Sequence, residues 1–385
     1  MGNVPNLRFP EFSGKWKKCT LGDITINFNL RNKEKIELPM YSVTNNRGFI
    51  PQSEQFEDRD MVGEDIKAYK IIHNKDFAYN PARINVGSIA KYNGSKPCMI
   101  SSLYVCFKAA NGIDEDWLMH LLRSPKIQYY YNINGEGGVR IYLFYPNFAR
   151  IRTSFPTIAE QRKIANLLSL LDARITTQNK IIEKLQSLIK GIGDKLLFNE
   201  AWTTTRLCDI LTERIEKSKM NNQHEVLSST VKGIYSQREY FSKDIASENN
   251  VGYKIIHLHD IVLSPQNLWM GNINYNNRFD IGIVSPSYKI YKVSPKFDKH
   301  FIASMLRTHR ALYNYQLVSE QGASVVRRNL NMEAFEQLTF KIPSYDLQVK
   351  IGHTLSLLQN QLDTAFATKQ AYHQQKQYLL SQMFI

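Results

Sequence analysis

A chain that repeats itself has to fold as two similar halves, and this one repeats over nearly its full length. The stretch "FPTIAEQRKIANLLSLLDARI" at Phe155–Ile175 returns as "IPSYDLQVKIGHTLSLLQNQL" at Ile342–Leu362, with Pro, Gln, Lys, Ile and Ser-Leu-Leu at matched places. Upstream, Phe12, Trp16, Leu21, Asp23 and Ile24 recur as Phe198, Trp202, Leu207, Asp209 and Ile210, a displacement of 186 positions that Ser42/Ser228 and Thr44/Thr230 share. "YKIIH" at Tyr69 and Tyr253 reduces it to 184, which Asp76/Asp260, Pro81/Pro265, Gly87/Gly271, Leu122-Arg123/Leu306-Arg307 and Tyr131/Tyr315 keep. A three-residue insertion raises it to 187 for Val139-Arg140/Val326-Arg327, Leu143/Leu330, Phe148/Phe335 and Pro156/Pro343. Chance does not hold such a drift in order along a chain, so the protein is a tandem duplication.

Each repeat has two parts. The first carries short apolar runs such as "SSLYVCFKA" and "SPSYKIYKV" between turn signals ("NNRG", "NGSKP", "YNNRF"), the pattern of short strands. One helix is expected from Asp114 through Tyr131, acidic at its start. This part reads as a compact α+β domain.

The second part reads as a long helix. Pro156 ends the strand before it, and Thr157-x-x-Glu160 has the form of a capping box. Ile164, Leu168, Leu171, Ile175, Gln178, Ile182, Leu185, Ile189, Ile192 and Leu196 then alternate at steps of four and three, the seam of a helix that packs on another helix. The second copy offers Ile351, Leu355, Leu358, Leu362 and Ala365, then the more polar Lys369, Tyr372 and Lys376, then Leu379 and Met383. The polar stretch leaves room for fraying or for contact with another protein. Each helix finds its natural mate in the other copy, and a duplicated pair packs antiparallel. Roughly 35 residues of helix at ~1.5 Å each span about 50 Å, enough to act as a spacer. The expected boundaries are therefore a recognition-type domain over residues 1–154, a helical spacer over 155–197, a second domain over 198–341 and a second spacer over 342–385.

Charge narrows the function. The chain has 49 Lys plus Arg against 35 Asp plus Glu, a formal net charge of +14, the electrostatic footprint of a nucleic-acid binder. Cys19, Cys98, Cys106 and Cys208 have neither disulfide nor zinc spacing, as expected of a reducing cytoplasm. No apolar run is long enough for a membrane span, and the amino terminus lacks a signal-peptide pattern.

The motif Pro156-x-x-x-x-Gln161-x-Lys163-Ile164, the Ser169-Leu170-Leu171 run, their copy at Pro343, Gln348, Lys350 and Ile351, and the opening "LRFPEFSGKW" together resemble the specificity subunits of type I restriction-modification enzymes. The resemblance covers essentially the whole chain, although the second copy departs from it in lacking the Thr-x-x-Glu box. It implies two target recognition domains, each reading one half of a split double-stranded DNA sequence, and a chain that is not itself catalytic. It also implies assembly with two methyltransferase subunits, and with restriction-translocase subunits for cleavage. No cofactor is then expected in this chain; the partners would use S-adenosylmethionine, ATP and Mg2+.

DNA-reading heads need cations for phosphates and planar polar groups for base edges. The first head offers Thr44, Asn45, Asn46 and Arg47 in one turn, then Asn80, Arg83, Asn85, Lys91, Tyr92 and Asn93, and Arg140 after a glycine-rich run. The second offers Thr230 and Lys232, then Gln266, Asn267, Trp269 and Asn272, then Arg327 and Arg328. Asn-Gly-Pro clusters also serve simply as turns, and the duplicated Pro81/Pro265 and Gly87/Gly271 are read that way. Between those fixed points the heads differ: Ala-Arg-Ile-Asn-Val in one, Gln-Asn-Leu-Trp-Met in the other. Unlike residues at like places suit two unlike half-sites. Arg140 and Arg327 stand in both heads and suit a shared phosphate contact.

Other readings are weaker. "YNPAR" lacks the second Pro and the aromatic of adenine methyltransferases, and no glycine-rich cofactor loop follows a strand. No G-x-x-x-x-G-K-[ST] is present to hold ATP. His257-x-His259 lacks further ligands. A protein-interaction scaffold with two heads on a helical spacer is the alternative to a DNA reader.

Overall fold

The computed structural model describes residues 3–55, 66–137, 141–237, 249–321 and 327–385. Two compact units emerge: Met1–Asn179 with Thr368–Ile385, and Lys180–Ala367.

In the first unit a four-stranded antiparallel sheet runs in the order Thr25–Phe28, Val105–Ala109, Phe77–Tyr79, Ile89–Lys91. Hairpin Tyr41–Thr44/Gly48–Pro51 and pair Lys70–Ile72/Cys98–Ile100 flank it, and Lys17–Thr20 pairs with Arg152–Phe155. The second unit repeats this arrangement: Leu211–Glu213, Lys289–Val293, Ile261–Leu263 and Ile273–Tyr275 form its sheet. The register repeats too, Phe77 opposite Phe107 and Ile261 opposite Tyr291. The strands are three to five residues long because turns interrupt every apolar run. Their inward residues, including the stacked pair Phe77 and Phe107, fill each core.

The helix expected over Asp114–Tyr131 is two helices, Glu115–Leu122 and Pro125–Asn134. Pro125 lacks an N–H and forces Ser124 to extended backbone (ψ 147°), so it starts a new helix at its first position. The second unit breaks at the same place without proline, into Lys299–Met305 and His309–Leu317, with the Thr308 hydroxyl accepting the Ala311 N–H. In both units a buried tyrosine from the later helix caps the earlier one: Tyr131 Oη donates to Leu122 O at 3.0 Å and Tyr315 Oη to Leu306 O at 2.9 Å.

The two long helices are Ile158–Leu196 and Tyr345–Gln382, packed antiparallel. Within the first unit, Ile164, Leu168 and Leu171 from the start of one share a core with Leu379, Leu380, Met383 and Phe384 from the end of the other. Within the second, Ile182, Leu185 and Ile189 meet Leu362 and Ala365. Two of the polar seam positions are used within the chain: Lys376 Nζ pairs with Asp172 at 2.5 Å, and Tyr372 lies under Arg174. At the far end of the first helix Leu197 is buried and Leu196 is 37% exposed, the reverse of the seven-residue pattern. A helix of 3.6 residues per turn drifts off that pattern unless it supercoils.

The capping box is half formed. The Thr157 hydroxyl accepts the Glu160 N–H at 3.4 Å, but the buried Glu160 carboxylate takes Arg8 at 2.7 and 2.8 Å and the Trp16 indole at 3.2 Å. That tie explains why Arg8 and Trp16 sit in "LRFPEFSGKW". Among the described residues no helix is long and apolar enough to cross a membrane.

Candidate nucleic-acid interface

The duplicated glutamine, unexplained by sequence, bolts each head to its long helix. Gln161 accepts the Asp114 N–H at 2.8 Å and donates to Pro156 O at 3.0 Å. Gln348 accepts the Asp298 N–H at 3.0 Å and donates to Pro343 O at 2.9 Å. Asp114 and Asp298 in turn cap the first helix of each head. The scaffold thus repeats bond for bond.

On this scaffold the first head collects several of the candidate residues. Asn45, Asn46 and Arg47 form an exposed three-residue hairpin turn, closed by the Thr44 hydroxyl, which accepts the Arg47 N–H and donates to Gly48 O. Asn46, Arg47, Lys91, Tyr92 and Asn93 line one cleft of about 410 Å³, with His120, Arg123 and Asp172 also in its wall. Arg47 reaches Glu54 in an exposed pair and Lys91 reaches Asp116. An exposed pair is worth under ~1 kcal/mol, so a phosphate can displace Glu54 from Arg47, whereas Lys91 is largely sheltered beside Asp116. Arg83 is exposed on the neighbouring turn, and the Asn85 amide touches Asn132 at 3.2 Å.

Three candidates serve the head itself. Tyr92 is 5% exposed and its hydroxyl donates to Lys96 O, so its ring packs inside against Tyr41 and Phe49 instead of facing a base. Asn80 closes its own turn by accepting the Ala82 N–H. Asn272 is 4% exposed, accepting from Ser229 Oγ at 2.9 Å and donating to Ser229 O at 3.0 Å. Arg140 lies outside the described residues.

In the second head the hairpin turn is one residue shorter: Thr230 leads through Val231 and Lys232 to Gly233, with Lys232 exposed. Gln266, Asn267 and Trp269 ride on two turns of 3-10 helix, Pro265–Met270, and strand Arg328–Leu330 packs on that helix. Arg328 lies over the Trp269 ring, 4.2 Å from its centroid, and Arg327 is exposed beside it. In both heads this 3-10 segment ends on a left-handed glycine, Gly87 at φ 98° and Gly271 at φ 92°, a conformation glycine adopts without strain. The sequence-predicted residues therefore gather by head, Arg47 with Lys91 and Asn93 in one, Trp269 with Arg328 in the other.

Sequence reasoning missed His120, Arg123, Asp172 and Asn274. His120 and Arg123 stand three residues apart at the end of helix Glu115–Leu122 and meet Asp172 of the long helix, a contact no spacing signals. Asn274, 2% exposed, holds the second hairpin by donating to Thr230 O at 2.7 Å. Burial pushes the His120 imidazole down to about 4, helped by the nearby Lys376 ammonium. His257 and His259 turn to Glu216 and Tyr275. Among the described residues no cluster of three His, Cys, Asp or Glu is placed to hold a metal.

No protein-family model matches the chain. It is 28% identical over 204 residues to the "Putative type I restriction enzyme MjaX specificity subunit" of Methanocaldococcus jannaschii, a match covering 50% of this chain and 48% of that protein. The chain thus spans, in that match, about half the length of its curated relative. The fold is similar to that of the crystal structure of a type I restriction-modification S subunit from M. genitalium, with TM-score 0.64, 13% identity and 99% of each chain covered. It is also similar to a structure that addresses complex assembly and conformational transition of a type I R-M system, with TM-score 0.51, 12% identity, and 96% and 97% coverage. These likenesses define a class of duplicated chains with two β-rich heads and two long antiparallel helices. The chain thus shares its fold with a type I restriction-modification S subunit and, over half its length, is similar in sequence to another such specificity subunit.

Proposed function

We propose that this chain is the non-catalytic DNA-reading subunit of a type I restriction-modification complex in the cytoplasm. Each head, residues 1–154 and 198–341, binds one half of a bipartite duplex target, and the helical segments 155–197 and 342–385 serve as the spacer. Two methyltransferase subunits use the reading to methylate adenines with S-adenosylmethionine; restriction-translocase subunits, using ATP and Mg2+, cleave unmodified DNA. In the first head Arg47, Arg83, Asn85, Lys91 and Asn93 face the duplex; in the second Lys232, Gln266, Asn267, Trp269, Arg327 and Arg328 do.

One observation carries this reading. The glutamine joint and the tyrosine cap repeat position for position in the two heads, whereas the residues between Pro81 and Gly87 and between Pro265 and Gly271, apart from the buried Ile84 and Leu268, do not. A scaffold kept twice under surfaces that diverge is what two different half-sites demand. The +14 charge supplies the sequence-independent part of binding. Exposed apolar pairs at equivalent places, Tyr129 with Ile133 and Tyr313 with Leu317, suit two copies of one partner.

The test is competition between duplexes. The chain in its complex should bind its target at least ~1000-fold more tightly than a scrambled duplex at physiological salt. Equal binding of both would leave a protein-interaction scaffold as the better account.

A further inference from the structure

The second head seats an arginine on a tryptophan ring, an arrangement whose two positions are filled by Ile141 and Asn85 in the first. Arg328 stands on a strand whose alternate residue, Leu330, packs against the core of its unit. The same alternation turns Arg328 inward over the Pro265–Met270 helix, where its guanidinium carbon lies 4.2 Å from the centre of the Trp269 ring. Such a seat holds a guanidinium in place without consuming its N–H groups. Elsewhere in this unit Arg214 is tied to Asp260 and Arg206 to Asp209, while Arg278 and Arg310 lie over Phe279 and Phe198. Arg328 has no ion pair among the described residues, and its Nε is buried without a hydrogen-bond partner. The Asn267 carbonyl oxygen, on the same turn as Trp269, is also buried without one. Buried donors and acceptors are rarely left unpaired, so this corner is incomplete without a ligand that both accepts and donates hydrogen bonds.

Repeat arithmetic decides which ligand. Arg327 corresponds to Arg140 of the first head, as a contact to phosphate common to both halves requires. Arg328 corresponds to Ile141, and Trp269 to Asn85. A residue present in one head alone serves what differs between the half-sites, which is base sequence. An oriented guanidinium spans the O6 and N7 acceptors of guanine, the commonest specific contact in the major groove, and the N4–H2 of the paired cytosine is the donor that the Asn267 carbonyl lacks. We infer that Arg328, seated on Trp269, reads a guanine in the half-site bound by the second head. This rests on the DNA-reading function proposed above and deepens it.

The experiment selects bound duplexes from a randomised pool, using the full chain in the complex it forms in its own cells. For the native protein the second head's half-site should contain a G·C pair preferred over the alternatives by ~5–150-fold, the range for one bidentate contact. Arg328→Lys keeps the charge but cannot span two acceptors; preference at that single pair should drop below about threefold while every other position is retained. Arg328→Gln should move the preference from guanine towards adenine. The half-site read by the first head reports in each selection that the protein is folded. Unchanged preference in both variants, or an even loss over the whole half-site, overturns the inference and leaves DNA reading intact. A native protein that selects no sequence at all overturns both.

Discussion

Replacing Gln161 by leucine tests whether the repeated glutamine is the joint between head and helix. Gln161 is fully buried. Its removal strands the Asp114 N–H, bonded at 2.8 Å, and the Pro156 carbonyl, bonded at 3.0 Å; the bond to Gly112 O at 3.3 Å is weaker. Each buried backbone group left unpaired costs about 1–3 kcal/mol, so the two strong bonds alone amount to about 2–6 kcal/mol. At about 2–4 °C per kcal/mol for a unit of this size, the first unit's thermal transition should fall by about 4–24 °C in differential scanning calorimetry. Gln348→Leu strands Asp298 N–H and Pro343 O in the same way and should lower the second unit's transition by a similar amount. The two glutamines share no partner, so the effects of the double substitution should add to within ~0.5 kcal/mol. Arg162→Leu, one residue along the helix and exposed, is the control. If Gln161→Leu melts within a degree of Arg162→Leu, the joint is not where the stability lies.

The buried His120 gives a pH signature. Its folded pKa of about 4 lies below the ordinary 6.5, so its contribution is complete above about 6.5 and is lost as pH falls towards about 4. His120→Gln should flatten the stability profile in that window by up to ~1.4 kcal/mol per pH unit, measured by urea unfolding; an unchanged slope excludes it. Gly87→Ala meets no close neighbour, its Cβ lying 3.5 Å from Asn45 O, so its cost of about 1 kcal/mol comes from the positive φ alone. The melting temperature should fall accordingly, whereas Gly112→Ala, also at positive φ but far from Gly87 in sequence, should cost as much without altering DNA binding. Arg327→Ala should weaken all duplexes alike and reduce the salt slope by about one, while Arg83→Ala should weaken particular half-sites; equilibrium binding at several salt concentrations separates the two.

Much of this fold was legible because the chain states it twice. The duplication, the short strands and both long helices follow from repeated spacing, which local noise does not erase. The break at Ser124-Pro125 was equally visible, since proline disfavours helix at the residue before it, but acidic and apolar periodicity on either side masked it. What stayed hidden depends on residues distant in sequence. Lys376 is a polar flaw in a seam until Asp172 appears opposite it, and Glu160 is half of a capping box until Arg8 and Trp16 reach it. The candidate site was readable as a composition of Arg, Asn and Gln in turns, but not as an inventory of contacts. Tyr92 and Asn272 look like their neighbours in sequence, and burial alone separates them.

The central claim is that each head reads its own half of a divided target. Mapping methylated adenines across the genome of cells with and without this chain tests it most directly. The account predicts a motif of two short defined blocks at constant spacing, lost on deletion, with Arg328→Lys altering one block only. A single uninterrupted motif, or a methylation map unchanged by deletion, contradicts it.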